Sequence, residues 1–182
     1  MEKLQLTRLV SREELDSIVQ ELAARISRDY GKRELVLVCI LKGAFMFLSD
    51  LIRHLQIPVQ IDFVRLASYG PGMKTSGVIE ITKDIELPVE GKDVLIVEDI
   101  VDSGRTLQFL KDRLALSKPH SVKVCALLDK KARRDVEIEA EYLGKEVDDV
   151  FVVGYGIDFN EDYRYLPEVY YVTPTGQPPK GK

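Results

Sequence analysis

Four short stretches are apolar almost from end to end: ELVLVCI at 34–40, DVLIVED at 93–99, SVKVCALLD at 121–129 and VFVVGYG at 150–156. A strand with one wet face alternates apolar and polar side chains. An unbroken apolar run of this length fits a strand covered on both faces. Amphipathic segments stand between the runs: AFMFLSDLIRHL at 44–55, and TLQFLKDRLAL at 106–116 with Leu107, Leu110 and Leu114 on one face. Strand, helix and strand in this rhythm predict an α/β fold, a mostly parallel central sheet flanked by helices on both faces.

The remaining segments fit that frame. Ser11 and Glu14 form a capping box before a helix whose apolar face is Leu15, Ile18, Val19, Leu22 and Ile26, and Gly31 ends it. VQIDFVRLAS at 59–68 predicts another strand, and GVIEITKDI at 77–85 alternates as an edge strand does. Between them GPGMKTSG at 70–77 has the composition of a flexible loop. The end of the chain, residues 176–182 included, is expected to be disordered. No repeat or shift of composition divides the 182 residues, so a single domain over 1–182 is expected.

Composition excludes more than it selects. The net charge of -4 speaks against a protein that coats nucleic acid. The longest apolar run, LVLVCIL at 35–41, is too short to span a bilayer. The amino terminus carries charges where a signal peptide needs an apolar core. Cys39 and Cys125, both within strand-like runs, read as small buried residues, and no metal-type Cys or His spacing occurs. The expected address is the cytoplasm, with neither membrane nor nucleic acid as partner.

In folds of this class, ligands bind beyond the carboxyl ends of the strands, near a topological switch point. That rule selects Lys42-Gly43, Glu98 to Thr106, Asp129-Lys130 and Gly154 to Asp158. The central one, EDIVDSGRT, joins three carboxylates to a small turn that leads into a helix. Backbone N–H groups, the hydroxyls of Ser103 and Thr106 and a helix amino terminus suit a phosphate monoester. The carboxylates Glu98, Asp99 and Asp102 suit hydroxyls or a hard cation such as magnesium. A ribose phosphate meets both demands. Neither GxxxxGK[ST] nor GxGxxG occurs, so the usual nucleotide fingerprints are missing.

VLIVEDIVDSGRTL resembles the phosphoribosyl pyrophosphate signature of the type I phosphoribosyltransferases. CILKGAFMFLSDL, DFVRLASYG, ALLDKKARR and FVVGYGIDFNEDYR resemble the matching segments of its hypoxanthine-guanine branch, in that order, across roughly residues 5–172. The resemblance implies a small hood built from about 1–10 and 157–175. It places the ribose on Glu98 and Asp99 and the 5'-phosphate on Asp102, Ser103, Gly104, Arg105 and Thr106. It places pyrophosphate on Lys42, Gly43 and Arg164, with a cis peptide between Lys42 and Gly43. The purine would meet Lys130, Phe151, Val152 and Asp158, and Mg2+ would be held by Glu98, Asp99 and Asp158. Asp102 would act as the base at purine N7, and Ser68 and Tyr69 would begin a closing lid. The partners implied are phosphoribosyl pyrophosphate and a 6-oxopurine, in a homodimer or homotetramer with Lys42 near the interface.

Simpler readings compete. Phe151 within VFVV reads equally as core, Asp158 as a turn residue, and Lys130 as one member of a solvated basic run with Lys131, Arg133 and Arg134. A receiver domain also has a DVLIVED-like strand, but near its amino terminus, and here more than half the chain precedes it. A non-catalytic regulator on the same fold would have no need of Asp102, Lys130 and Asp158 together.

Overall fold

The computed structural model describes residues 4–69 and 78–174. Six strands make the main sheet: β2 (Leu35–Leu41), β3 (Val59–Tyr69), β4 (Val78–Lys83), β5 (Asp93–Val101), β6 (Ser121–Asp129) and β7 (Tyr142–Glu146). Their order is β4-β3-β2-β5-β6-β7, with every pairing parallel except β3 to β4. The antiparallel edge matches the alternation of GVIEITKDI. The loop at 70–77 and the tail at 176–182 lie outside the described residues.

The sheet divides its side chains by the period of two expected of a pleat. Leu35, Leu37, Cys39, Leu95, Val97, Cys125 and Leu127 face one core with α1 (Arg12–Tyr30) and α2 (Phe45–His54). Val36, Val38, Ile40, Val94, Ile96, Val124 and Ala126 face the other with α3 (Arg105–Ala115). Both faces are covered, which is why these strands carry no polar alternation. Each fully buried leucine or valine there stabilises the fold by about 1.5–3 kcal/mol over its exposed state. Ser11 caps α1 by accepting the Glu14 N–H at 3.2 Å. The return half of the expected box is not made, because the Glu14 carboxylate pairs with Lys145 on β7 instead. Gly31, at φ 58°, closes α1 by donating its N–H to Ser27 O.

One expectation is corrected. VFVVGYG is not a strand of the main sheet; only Val152 and Val153 (β8) pair, and they pair antiparallel with β9 (Val169–Pro174). Gly154, Tyr155 and Gly156 all take positive φ, which turns the chain away at once. The place beside β6 belongs to β7, whose sequence YLGKE has no apolar run to announce it. With β1 (Leu4–Val10), β9 and β8 form a second sheet of order β1-β9-β8. Val10, Val152 and Val169 seat it on the α1/α2 core.

After β2 the chain adds β3 and β4 on one side, then returns to place β5 on the other side of β2. The switch point therefore lies between β2 and β5. Their pairing runs from Leu35↔Asp93 to Cys39↔Val97 and stops there. Beyond it the two strand ends part, and the site opens between them.

Candidate active site

A cleft of about 260 Å³ fills that opening, lined by Ile40 and Leu41 at the end of β2, by Gly43 just beyond it, and by Glu98 to Gly104, Thr106 and Leu107 from β5, the loop after it and α3. The peptide bond between Leu41 and Lys42 is cis, one position before the bond expected. The turn is packed tightly on both sides. A Cβ added to Gly43 would stand 1.8 Å from Asp99 Oδ2, and one added to Gly156 would stand 2.2 Å from Gly43 O. Gly154 to Asp158 thus reaches the site through the second sheet rather than as a strand end of the first.

Glu98 and Asp99 lie side by side at the floor. Glu98 Oε1 accepts the Asp99 N–H at 3.2 Å, and Asp99 Oδ1 accepts the Ile100 N–H at 2.7 Å. Burial pushes the Glu98 carboxyl well above the usual carboxylate range, and the neighbouring Asp99 charge adds to it. Burial raises Asp99 too, against the pull of its own hydrogen bonds and of Arg164. Two buried carboxylates that resist ionisation form a place short of positive charge. Among the described residues no group of three Asp, Glu, His or Cys side chains could hold a metal by itself. A magnesium ion fits such a pair, because it keeps water and ligand oxygens beside one or two carboxylates.

The phosphate-type turn follows. Gly104, at φ 81°, ends the strand-to-helix loop and starts α3 without any side-chain cap. Ser103, Gly104 and Thr106 line the cleft at the start of α3, where the Arg105 N–H is only weakly engaged by Ser103 Oγ at 3.4 Å. Asp102 stands at the mouth of this turn. Its Oδ1 is buried and accepts no hydrogen bond among the described residues. Arg133 Nε lies 3.3 Å from that oxygen, close enough for charge attraction but without hydrogen-bond alignment.

Two further groups approach from the sides. Lys130 is buried and tied to β5 by its N–H, which donates to Val101 O at 2.9 Å. Burial lowers its ammonium pKa, and the Asp102 and Asp149 charges oppose that. It is therefore separate from the solvated basic run. Phe151 is 48% exposed and meets Phe159 edge-on, with centroids 5.4 Å apart, so the core reading fails for it. Val152 is buried beside it in β8.

On the Lys42 side stands an ion-pair cluster. Lys42 Nζ lies 2.7 Å from Glu161 Oε2, and Arg164 Nη2 lies 2.8 Å from Asp158 Oδ1 and 3.4 Å from the same Glu161 oxygen. Asp158 is thus grouped with Arg164, apart from Glu98 and Asp99. Arg164 Nη1 donates to Gly156 O at 2.8 Å, while its Nε is buried without a partner among the described residues. Ser68 and Tyr69 end β3, paired with Ile79 and Val78, and the loop they lead into is outside the described residues. Glu161, Arg133 and Arg134 were not singled out for the site. Glu161 is 119 residues from its partner Lys42, and no local pattern signals such a pair.

A model of the phosphoribosyl transferase domain family matches residues 8–160. A hypoxanthine-guanine phosphoribosyltransferase of Aquifex aeolicus is 47% identical over 165 residues, covering 90% of this chain and 93% of the relative. A hypoxanthine phosphoribosyltransferase of Salmonella typhimurium is 45% identical over 163 residues, covering 88% and 92%. Among solved structures, a hypoxanthine-guanine phosphoribosyltransferase of Bacillus anthracis superposes with a TM-score of 0.88 at 45% identity, covering 94% of this chain and 99% of that one.

Proposed function

The chain belongs to the phosphoribosyltransferase family, and from that premise we propose that it is a purine-salvage transferase. It moves the 5-phosphoribosyl group from phosphoribosyl pyrophosphate to N9 of hypoxanthine or guanine, giving IMP or GMP and pyrophosphate. The observation that carries this reading is Asp102 Oδ1, buried without a hydrogen bond at the phosphate-type turn, with only the Arg133 guanidinium beside it.

In this reading the 5'-phosphate sits on the amides and hydroxyls of Asp102 to Thr106, and the ribose hydroxyls rest against Glu98 and Asp99. Asp102 takes the N7 proton once the purine has displaced Arg133 from its carboxylate, which makes N9 the better nucleophile. Phe151 stacks on the purine, and the Val152 backbone reads its edge. Lys130 donates to the 6-oxo group. Lysine has donors and no acceptor, so adenine's amino group there would leave donor facing donor. Such a mismatch can reject an analogue by ~10⁴-fold.

Lys42, Gly43 and Arg164 receive the pyrophosphate as it leaves the ribose anomeric carbon. Glu98 and Asp99, and separately Asp158 on the pyrophosphate side, would hold magnesium, which would supply positive charge to the leaving group when bound. A hood of about 1–10 and 157–175 covers the base, and a lid opening at Ser68 and Tyr69 keeps water from the activated sugar. The protein works in the cytoplasm as a homodimer or homotetramer. No helix among the described residues is long and apolar enough to cross a membrane.

The test is a product assay with magnesium, phosphoribosyl pyrophosphate and each of hypoxanthine, guanine, xanthine and adenine. Nucleotide from hypoxanthine and guanine, and none from adenine, is expected. Tight binding of phosphoribosyl pyrophosphate with no turnover of any base would overturn the enzymatic reading.

A further inference from the structure

We propose that Arg134 is a positioning residue that holds Asp102 in place for the reaction. The proposal rests on the reading that Asp102 serves purine N7.

Arg134 lies within the basic run KKARR, yet its side chain is only 16% exposed. One arm of the guanidinium, Nη2, is paired with Asp129, whose carboxylate is 3% exposed. The other arm, Nη1, donates to the main-chain oxygen of Asp102 at 3.2 Å. Asp129 ends β6 and pairs in register with Val101, which ends β5 immediately before Asp102. The guanidinium therefore ties the end of one strand to the loop that leaves its neighbour.

The next residue continues the contact. The Asp135 N–H donates to Ser103 O at 2.9 Å, and Asp135 Oδ2 pairs with Arg105 Nε at 3.0 Å. Gly104 is pressed against the same segment: a Cβ there would stand 2.5 Å from Ile138 Cγ2, 3.0 Å from Val136 Cγ2 and 3.2 Å from Arg134 Cδ. Two successive carbonyls of the loop, those of Asp102 and Ser103, are thus held by residues 134 and 135.

A purely stabilising role explains this poorly. A buried ion pair gives little net stability over apolar residues of the same size, because both charges lose their water. What it does give is a fixed geometry. The planar fork serves the carboxylate and the carbonyl from two separate nitrogens at a fixed spacing, whereas a lysine ammonium would have to serve both from one nitrogen on a flexible stem. Arg133 has a different part. It is half exposed and sits 3.3 Å from the Asp102 carboxylate itself, where a purine must displace it. Arg134 touches only the main chain of Asp102 and can stay in place throughout turnover.

The test is a double-mutant cycle on kcat in the full-length enzyme, with Arg134→Lys, Asp102→Asn and the pair. Arg134→Lys keeps a positive charge beside Asp129 but loses the fork. It is expected to retain the parent's unfolding midpoint within a few degrees and to lower kcat about 10- to 100-fold, the scale of an ångström's misplacement. In the Asp102→Asn background the same change is expected to cost less than about threefold, since Arg134 then has nothing left to aim. An equal fold-loss in both backgrounds, or parental kcat in Arg134→Lys, overturns the proposal while leaving Asp102 as the base. Parental kcat in Asp102→Asn alone removes the base, and the proposal with it. Should Arg134→Lys not accumulate as folded protein, Asp129→Asn frees Arg134 from its anchor and enters the same cycle with the same expectations.

Discussion

Replacing Gly43 with alanine adds one methyl group where the structure has no room for it. A Cβ there would stand 1.8 Å from Asp99 Oδ2 and 2.6 Å from Asp99 Cγ. Non-bonded contacts to carbon settle at about 3.5 Å, so the carboxylate or the turn has to yield by about 1.7 Å. The turn has no free path, because Gly156 is packed against Gly43 O on its other side. Asp99 is held by the Ile100 N–H at 2.7 Å and shares its buried floor with Glu98. Overpacking of this kind costs about 1–3 kcal/mol, which lowers the unfolding midpoint by roughly 2–12 °C in a domain of this size. On the ribose-binding role proposed for Asp99, its displacement by more than an ångström is expected to cost about 10²-fold or more in turnover. The assay is IMP formation against varied phosphoribosyl pyrophosphate, with thermal unfolding followed alongside by circular dichroism. Parental kcat/KM together with a parental midpoint would refute the idea that the β2 turn and Asp99 are locked against each other.

Other perturbations separate the remaining parts of the site. Lys130→Met is expected to lower kcat/KM for hypoxanthine about 10²- to 10⁴-fold while leaving adenine near its own low level, so the ratio of the two reports the contact. Because burial depresses the Lys130 ammonium, the KM for hypoxanthine in the parent should begin to rise at a pH below the free-lysine value of about 10.4; a rise only at or above that value contradicts the buried setting. Glu98 and Asp99 have folded pKa values raised above the unfolded ones, chiefly by burial, so the folded state binds more protons. In EDTA their contribution is present below the ordinary carboxylate range and is lost as pH climbs through the raised values, so the unfolding midpoint should fall from the lower to the upper end of a titration begun at about pH 4. Magnesium should restore more stability at the upper end than at the lower, and an equal gain at both ends would argue against binding to this pair. Glu161→Gln removes the carboxylate oxygen that Lys42 and Arg164 share. Pyrophosphate inhibition should tighten by about two- to fivefold, the worth of an exposed ion pair, and unchanged or weaker inhibition would show that Glu161 does not compete for those cations.

The parts of the fold legible in the sequence are those where burial is complete. Ser121–Asp129 has the same bounds in sequence and structure because its apolar interior is closed off by Pro119-His120 on one side and Lys130 on the other. β7 escaped because an edge strand needs few apolar residues, and YLGKE pairs on β6 through its backbone while Gly144 packs under the Leu127 carbonyl. VFVVGYG misled for the opposite reason. Val152 and Val153 are buried, but in a second sheet that periodicity cannot tell from the first. The central loop was legible because its carboxylates and its phosphate-type turn are contiguous in the chain. The Lys42–Glu161–Arg164 cluster and the Arg134 brace were not, since each joins distant segments, and a charged residue inside KKARR carries no mark of its own burial.

The most direct test is a crystal structure of the protein soaked with IMP and magnesium. The 5'-phosphate is expected on the amides and hydroxyls of Asp102 to Thr106, the ribose hydroxyls against Glu98 and Asp99, Asp102 within hydrogen-bond distance of N7 and Lys130 within hydrogen-bond distance of the 6-oxo group. A nucleotide bound elsewhere, or one bound in the cleft with its base turned away from Asp102 and Lys130, would contradict the account at its centre.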